Sequence, residues 1–544
     1  MNIISLCRGV AAVLILASCH SLQRADLVVY HGHVYTVDSA FSEAEAFAVK
    51  DGKILAVGTD REIADRYVAD SVKDAAGKAV YPGFIDAHAH FLAYGHSLFT
   101  VDLFGSASFD EVVARVNKFS DQHPGDAWIL GRGWDQNKFP GKAFPVNTLL
   151  SRAFPSTPVV LVRVDGHALI ANQRALELAG VRPGQLLTGG TVETKNGVLT
   201  GILIDNAERL VQSRVPSPSR EDYEKWLLAA QQHCFAQGLT TITDCGLDAA
   251  DIDRIDSLQK KGSLTMRLYI MLSDNKENLE RFVPKGPYKT DRLYVRAVKV
   301  YADGALGSRG ACLLQPYADK PGWQGFLLSP LSHYDSLAKV LAATEFQMCT
   351  HAIGDSANRV ILKVYNKYLQ GKNDRRWRIE HAQVINEQDF KLFGKSSVLP
   401  SVQPTHATSD MYWAAERLGQ ERLKGGYAYK RLLQENGWLP LGTDFPVEDI
   451  SPFKTFLASV FRVDAKGQPA GGFQPENALT REETIRGMTI WAAKADFLEK
   501  EVGSIETGKK ADFILLDRDL MKVPQADVLS TKVVETYSGG RRVY

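Results

Sequence analysis

The chain has 544 residues, 45% apolar and 23% charged, with 64 Lys plus Arg against 63 Asp plus Glu. These are globular proportions, which exclude global disorder, and the length gives room for roughly 2–4 domains or one large barrel with additions. The near-zero net charge supplies neither a basic field for nucleic acid nor an acidic tail.

The N-terminus differs in kind from the rest. Arg8 precedes an apolar run at 10–16, too short for a bilayer span of about 20 residues and fitting a signal peptide over 1–18. The next residues, Leu16-Ala17-Ser18-Cys19, resemble a bacterial lipobox, whose cysteine becomes the acylated N-terminus after cleavage. A plain signal peptide with a chance cysteine is the blander alternative. The expectation is an exported lipoprotein held to the membrane through lipid on Cys19, with 19–25 as linker. His20 stands where an inner-membrane retention signal would place Asp, which favours the outer membrane, facing the periplasm. Cys234, Cys245, Cys312 and Cys349 form no CxxC pair, so they read as free buried thiols rather than a zinc knot.

From Asp26 the pattern is strand-like. Leu27-Val28-Val29-Tyr30, His33-Val34-Tyr35-Thr36-Val37 and Ala46-Phe47-Ala48-Val49 are rich in β formers, and Asp51-Gly52 turns the last into Lys53-Ile54-Leu55-Ala56-Val57-Gly58 as a hairpin. The far end repeats this character in Ala511-Asp512-Phe513-Ile514-Leu515-Leu516 and Lys532-Val533-Val534-Glu535-Thr536-Tyr537. Residues 26–80 and 500–544 are therefore expected to build one composite β domain. Between them, at 81–499, apolar runs alternate with helical stretches: 238–244, 294–301, 346–351, 378–381, 398–403 and 439–444. That alternation predicts a parallel α/β fold. An open doubly wound sheet shares it, but no G-x-G-x-x-G opens this one. Residues from about 95 to 220, with Gly131-Arg132-Gly133-Trp134 and Val159-Val160-Leu161-Val162-Arg163-Val164, break the series and read as an insertion beside the barrel mouth.

Polar groups end nearly every run, and a barrel gathers the C-terminal ends of its strands at one mouth. The strongest is Gly83-Phe84-Ile85-Asp86-Ala87-His88-Ala89-His90. Residues i and i+2 of a strand face one way, so His88 and His90 can bind one cation, and imidazole suits zinc and similar metals. His351, His381 and Asp444 end later runs. Lys299, in Lys299-Val300-Tyr301-Ala302-Asp303, reads from its residues alone as paired with Asp303 or another acid.

These pieces resemble the amidohydrolase superfamily over nearly the whole chain from Asp26, including the tail Gly503-Ser504-Ile505-Glu506-Thr507-Gly508-Lys509-Lys510-Ala511-Asp512-Phe513. Residues 299–309 and Arg163-Val164-Asp165-Gly166-His167 resemble the branch that contains N-substituted formamide deformylases and exoenzyme-regulatory proteins. The resemblance implies a (β/α)8 TIM barrel with a split β-sandwich and an inserted subdomain. It implies two divalent metal ions, zinc being the expected identity. His88, His90 and Asp444 would hold one and His351 and His381 the other, with a carbamate on Lys299 between them and Asp444 as proton shuttle. Substrate contacts are expected from His167, from Trp134 as an apolar wall and from Arg309 as an anion binder or a loop brace, with His96 and His406 unassigned. The leading expectation is hydrolysis of an amide-like C–N bond in a small molecule, with oligomeric state, a homodimer included, left open. The alternatives are a mononuclear deaminase, although Asp355 stands four residues after His351 where a glutamate would be sought, a binuclear ester or lactone hydrolase, and a non-catalytic surface lipoprotein.

Overall fold

The computed structural model describes residues 22–544; the expected signal peptide and lipid-bearing Cys19 lie outside the described residues. Seven parallel strands form the centre: β1 (Phe84–Ala89), β2 (Leu239–Leu247), β3 (Arg267–Ser273), β4 (Leu293–Tyr301), β5 (Gln347–Ala352), β6 (Arg378–His381) and β7 (Leu399–Ser401), neighbours in that order. Residues 439–444 close the ring. Gly442 N–H donates to Val402 at 3.1 Å on one side, while Ala87 N–H reaches Leu441 at 3.2 Å and Asp444 N–H reaches His88 at 2.8 Å on the other. This eighth element makes a single bridge, Val402 to Leu441, rather than a regular ladder. Pro440 has no N–H to give to one. The result is a TIM-barrel fold with additional sheets.

The period of two along each strand divides the core. Leu268, Ile270 and Leu272 of β3 and Val298 and Val300 of β4 pack outward against the helices, with Leu227, Ile255 and Leu337 among their partners. Tyr269, Met271 and Ala297 face inward beside Ile85, Cys245 and Cys349. Lys299 shares the inward parity of Ala297. Arg378 and Asp496, both fully buried, pair at 2.6 Å inside the barrel.

Ala79–Pro82 pairs antiparallel with Phe513–Leu516, so strands more than 400 residues apart in sequence share a six-stranded sheet. A four-stranded sheet, running Lys53–Gly58, Ala46–Lys50, Gln23–Tyr30, Tyr67–Asp74, packs on it through Val29, Phe47, Val49, Phe513 and Leu515. The hairpin across Asp51-Gly52 forms. A second six-stranded sheet, between β1 and β2 in sequence, contains Val101–Asp102, Ile129–Trp134, Val159–Arg163, Ala168–Ala171, Gly190–Lys195 and Val198–Asp205. It has its own cores on its two faces.

Candidate active site

The barrel mouth gathers the strand ends. His88 ends β1 region and is fully buried; its Nδ1 meets the Glu380 carboxylate at 2.5 Å, with both side chains 0% exposed. Burial, and then Lys299, pushes the His88 pKa down to about 4. The neutral ring therefore gives its Nδ1 proton to Glu380 and turns the Nε2 lone pair inward. Inward lie Lys299 Nζ at 3.1 Å and Asp444 Oδ1 at 3.6 Å. His90 Nε2 is 3.2 Å from the same Asp444 oxygen. The His381 Nδ1 is 2.7 Å from Gln403 Oε1, a contact that fixes its tautomer, and its ring lies 4.8 Å from that of His88 and 4.6 Å from that of His351. Burial drives the pKa values of His351 and His381 well below that of free imidazole.

These groups suit a divalent cation. His88, His381 and Asp444 each place a ligand atom within 4.8 Å of the other two. His351 Nε2 and Asp444 Oδ1 are buried without hydrogen-bond partners. Buried polar atoms are normally satisfied, so these point to a missing partner. Burial opposes ionisation of Asp444, but the surrounding imidazoles, His90 first and then His88 and His381, hold it well below the usual carboxylate range. His381 (φ 71°) and Asp444 (φ 65°) occupy the left-handed region, uncommon for such residues and typical of strained functional positions.

Lys299 is 1% exposed, and among the described residues no carboxylate lies within 4.0 Å of its Nζ. Its contacts are His88 Nε2 and the Tyr301 ring, whose centroid is 4.9 Å away. The pairing with Asp303 read from the residues alone is not formed. Asp303 is spent on backbone N–H groups of Ile353 (3.0 Å), Gly354 (2.8 Å) and Cys312 (2.8 Å). The chain turns after β4, and these amides capture the carboxylate before it can face the lysine.

A cavity of about 1530 Å³ opens above the cluster, lined by His90, Lys299, Tyr301, His351, His381 and Asp444 from the barrel and by Arg132, His167 and Asp205 from the inserted sheet. His167 Nδ1 bonds Asp205 Oδ1 at 2.7 Å, and its ring lies 4.8 Å from that of His351. Burial works against the His167 cation, yet Asp205 raises its pKa. Asp205 nests against two glycines of the loop after β4: a Cβ at Gly304 or at Gly310 would come within 2.4 Å of its Oδ2. That contact gives a physical reason for both glycines in the 303–310 run.

Trp134 and Arg309 lie off the cavity, Arg309 in the second of its two expected roles, the loop brace. Trp134 is 0% exposed in the core of the inserted sheet, where Nε1 donates to the Leu161 carbonyl at 2.8 Å, and it does not line the cavity. Arg309 pairs with Asp319 at 2.8 Å as a brace of its loop, also away from the cavity. His96 packs on Trp226, whereas His406 lines the cavity with Nε2 3.5 Å from Asp444 Oδ2. Glu380 and Gln403 are functional residues that the strand-end reading missed. The signal for Glu380 was the density of ionisable groups in Arg378-Ile379-Glu380-His381, a four-residue strand that is buried throughout.

Comparison with known proteins agrees with this geometry. The chain is 33% identical to the Protein LONG AFTER FAR-RED 3 of Arabidopsis thaliana over 96% of this chain and 92% of that one. It is 27% identical to the N-substituted formamide deformylase of Arthrobacter pascens over 95% and 98%. A solved metal-dependent hydrolase from Pyrococcus horikoshii OT3 superposes with a TM-score of 0.74 at 27% identity, covering 92% of this chain and 99% of that one. The Amidohydrolase family pattern matches residues 71–544. With buried neutral imidazoles and a carboxylate converging at the mouth of a TIM barrel, the chain belongs to the amidohydrolase family of metal-dependent hydrolases.

Proposed function

We propose that the protein hydrolyses a C–N bond of an amide or N-substituted formamide at a centre built for two divalent metals. The observation that carries this reading is Lys299. Burial works against the Lys299 ammonium; the surrounding fields of Tyr301, Cys245, Glu380 and Asp444 hold its pKa above the usual lysine value, yet no carboxylate pairs with it within 4.0 Å. Reaction of the neutral Nζ with CO2 forms an N–C bond, releases one proton to solvent and leaves a carbamate. That anion suits a position between cations, where the ammonium does not. His88, His90 and Asp444 would hold one ion, His351 and His381 the other, and the Lys299 carbamate both. When bound, divalent ions there supply Lewis acidity toward a substrate carbonyl and lower the pKa of water to near neutrality.

The chain's own residues do the rest. Glu380 and Gln403 set the tautomers of His88 and His381, so each ring presents a defined nitrogen. Asp444 is held ionised, which suits it to accept a proton as water attacks and to return it to the departing amine. His167, oriented by Asp205, faces the cavity beside His351 and is placed to hydrogen-bond a substrate carbonyl or its oxyanion. The similarity to an N-substituted formamide deformylase selects N-substituted formamides as the first compounds to assay. The lipid anchor on Cys19, at the outer membrane facing the periplasm, belongs to this reading; Cys19→Ser should move the protein from the membrane to the soluble fraction.

The test is Asp444→Asn. Formamide hydrolysis should fall at least about 1000-fold, the scale of a lost general acid–base group, while metal is still bound. Full activity in metal-loaded Asp444→Asn would remove Asp444 from the chemistry.

A further inference from the structure

The run Gly131-Arg132-Gly133-Trp134 has no part in the reaction proposed above. Trp134 is consumed by the core of the inserted sheet, but Arg132 is not. The register of Ile129–Trp134 against Val159–Arg163 slips between Arg132 and Trp134, and Gly133 adopts φ 111° at that bulge. A bulge beside an active site re-aims a side chain. The flanking positions admit nothing larger than glycine. A Cβ at Gly133 would lie 2.5 Å from the Phe104 ring, and one at Gly131 would lie 2.9 Å from Leu161. Across from them Gly166, at φ 73°, leaves room for the guanidinium: a Cβ there would be 3.3 Å from Arg132 Nη2. Three glycines thus seat one guanidinium on the cavity wall.

That guanidinium has no paired carboxylate: the fields of Asp444, Asp165 and Glu208 reach it only from beyond 4.0 Å. Arg163, on the neighbouring strand and lining the same cavity, pairs with Asp135 at 2.5 Å and with Asp165, and its Nε donates to Gln136 Oε1 at 2.6 Å. Arg132 has no carboxylate within 4.0 Å among the described residues. Its side chain donates to the Val164 carbonyl at 3.1 Å, and its Nε is buried without a partner. The acids of that wall are committed elsewhere. Asp165 serves Arg163 and the His167 N–H, and Glu208 takes the Gln212 amide at 3.2 Å. Burial also holds the Glu208 carboxyl well above the usual carboxylate range. Lys299 lies in the histidine cluster described above, and the other cavity cations without a carboxylate, Lys138, Arg209 and Lys466, are exposed to solvent. Arg132 is partly buried, and four of its five donors remain to be filled.

We propose that Arg132 is a specificity residue that binds a carboxylate of the substrate, so that the preferred substrates are amides carrying an acidic group, N-acyl or N-formyl amino acids by chemical class. A planar guanidinium matches a carboxylate with two parallel hydrogen bonds, and one such group supplies the single charge that a carboxylate needs. His90, His351 and Asp444 line the same cavity, so the group that completes Arg132 belongs to the molecule whose bond is cut. This inference rests on the amide-hydrolase reading for its substrate class.

The experiment compares wild type, Arg132→Met and Arg132→Lys on N-formylphenylalanine and its carboxamide. Wild type should prefer the acid by about 100-fold in kcat/KM, with the difference mostly in KM. Arg132→Met should bring the two substrates near parity, and Arg132→Lys should restore part of the preference. Thermal stability of Arg132→Met should fall by no more than the loss of one hydrogen bond to the Val164 carbonyl, because no ion pair is lost; a purely structural arginine would lower it further. Equal losses on both substrates, or an unaltered preference, overturn the proposal. If wild type cleaves neither compound, the hydrolytic reading fails for formamides, and calorimetric titration of the metal-loaded proteins with phenylacetate and phenylacetamide decides Arg132 by itself. Phenylacetate binding at least 10-fold weaker in Arg132→Met supports it. Equal binding, as expected for a carboxylate held by metal alone, overturns it.

Discussion

Replacing Glu380 with Gln isolates the charge behind the metal site. Glu380 and His88 are both 0% exposed and 2.5 Å apart, so no water can take over the contact. Gln keeps the volume, and its carbonyl can still accept the His88 Nδ1 proton. What disappears is the negative charge that makes His88 a better ligand. Partners of this kind are worth about 10–100-fold in metal affinity, or about 1.4–2.7 kcal/mol. There is a separate folding cost. Glu380 Oε1 is buried without a partner, and the Gln amide placed there would bring unsatisfied N–H groups at about 1–3 kcal/mol. Arg378 stays neutralised by Asp496 at 2.6 Å, so the variant does not strand a cation. The assay is metal retention against a graded chelator, with thermal unfolding of the metal-free proteins measured in parallel to separate folding from affinity. Wild-type affinity within 2-fold in Glu380→Gln would refute the argument that Glu380 tunes the site through His88.

Further outcomes follow from other parts of the molecule. Arg163→Met leaves Asp135 and Asp165 without their buried cation; breaking such a pair costs about 3–5 kcal/mol in denaturant unfolding, in contrast to Arg132→Met. Gly442→Ala places a Cβ 2.6 Å from the His88 backbone nitrogen and 2.8 Å from Asp86, forcing the closing segment off β1. It should cost about 1–3 kcal/mol in stability and reduce kcat, because Asp444 lies two residues on. Burial pushes the Cys312 thiol up to about 11 and the other three cysteines among the described residues are buried, so protein lacking Cys7 and Cys19 should hold at pH 8 only about one part in a thousand of Cys312 as thiolate. Labelling by a disulfide reagent should rise roughly tenfold per pH unit from 8 to 10; rapid labelling at pH 8 would contradict the burial.

Much of the fold is legible in the chain because its periods are strong. The strand runs at 238–244, 294–301, 346–351 and 378–381 end in polar groups, and β2, β4, β5 and β6 lie on them. The strand β3 is harder to read, since Arg267 to Ser273 is apolar on both faces and an unbroken buried run looks alike in helix and strand. Side-chain partners were less legible than positions. Lys299 and Asp303 are close in sequence, but the turn after β4 hands Asp303 to three backbone amides. Trp134 and Arg132 are neighbours in one short motif, and the bulge at Gly133 decides that the arginine, not the tryptophan, reaches the cavity. Glu380 and His381 adjoin on β6, yet both reach the histidine cluster, Glu380 through His88 and His381 with its positive φ at the strand end. Such outcomes depend on local backbone turns that residue type alone does not specify.

The central claim is that hydrolysis depends on divalent metal held by these residues together with a carboxylated Lys299. Its most direct test is one preparation stripped of metal, then restored with zinc and bicarbonate, with N-substituted formamide hydrolysis and bound metal followed together. The account predicts loss of activity on stripping, recovery as two ions bind per chain, and no recovery of the second ion in Lys299→Met. Full activity in the stripped protein would contradict it.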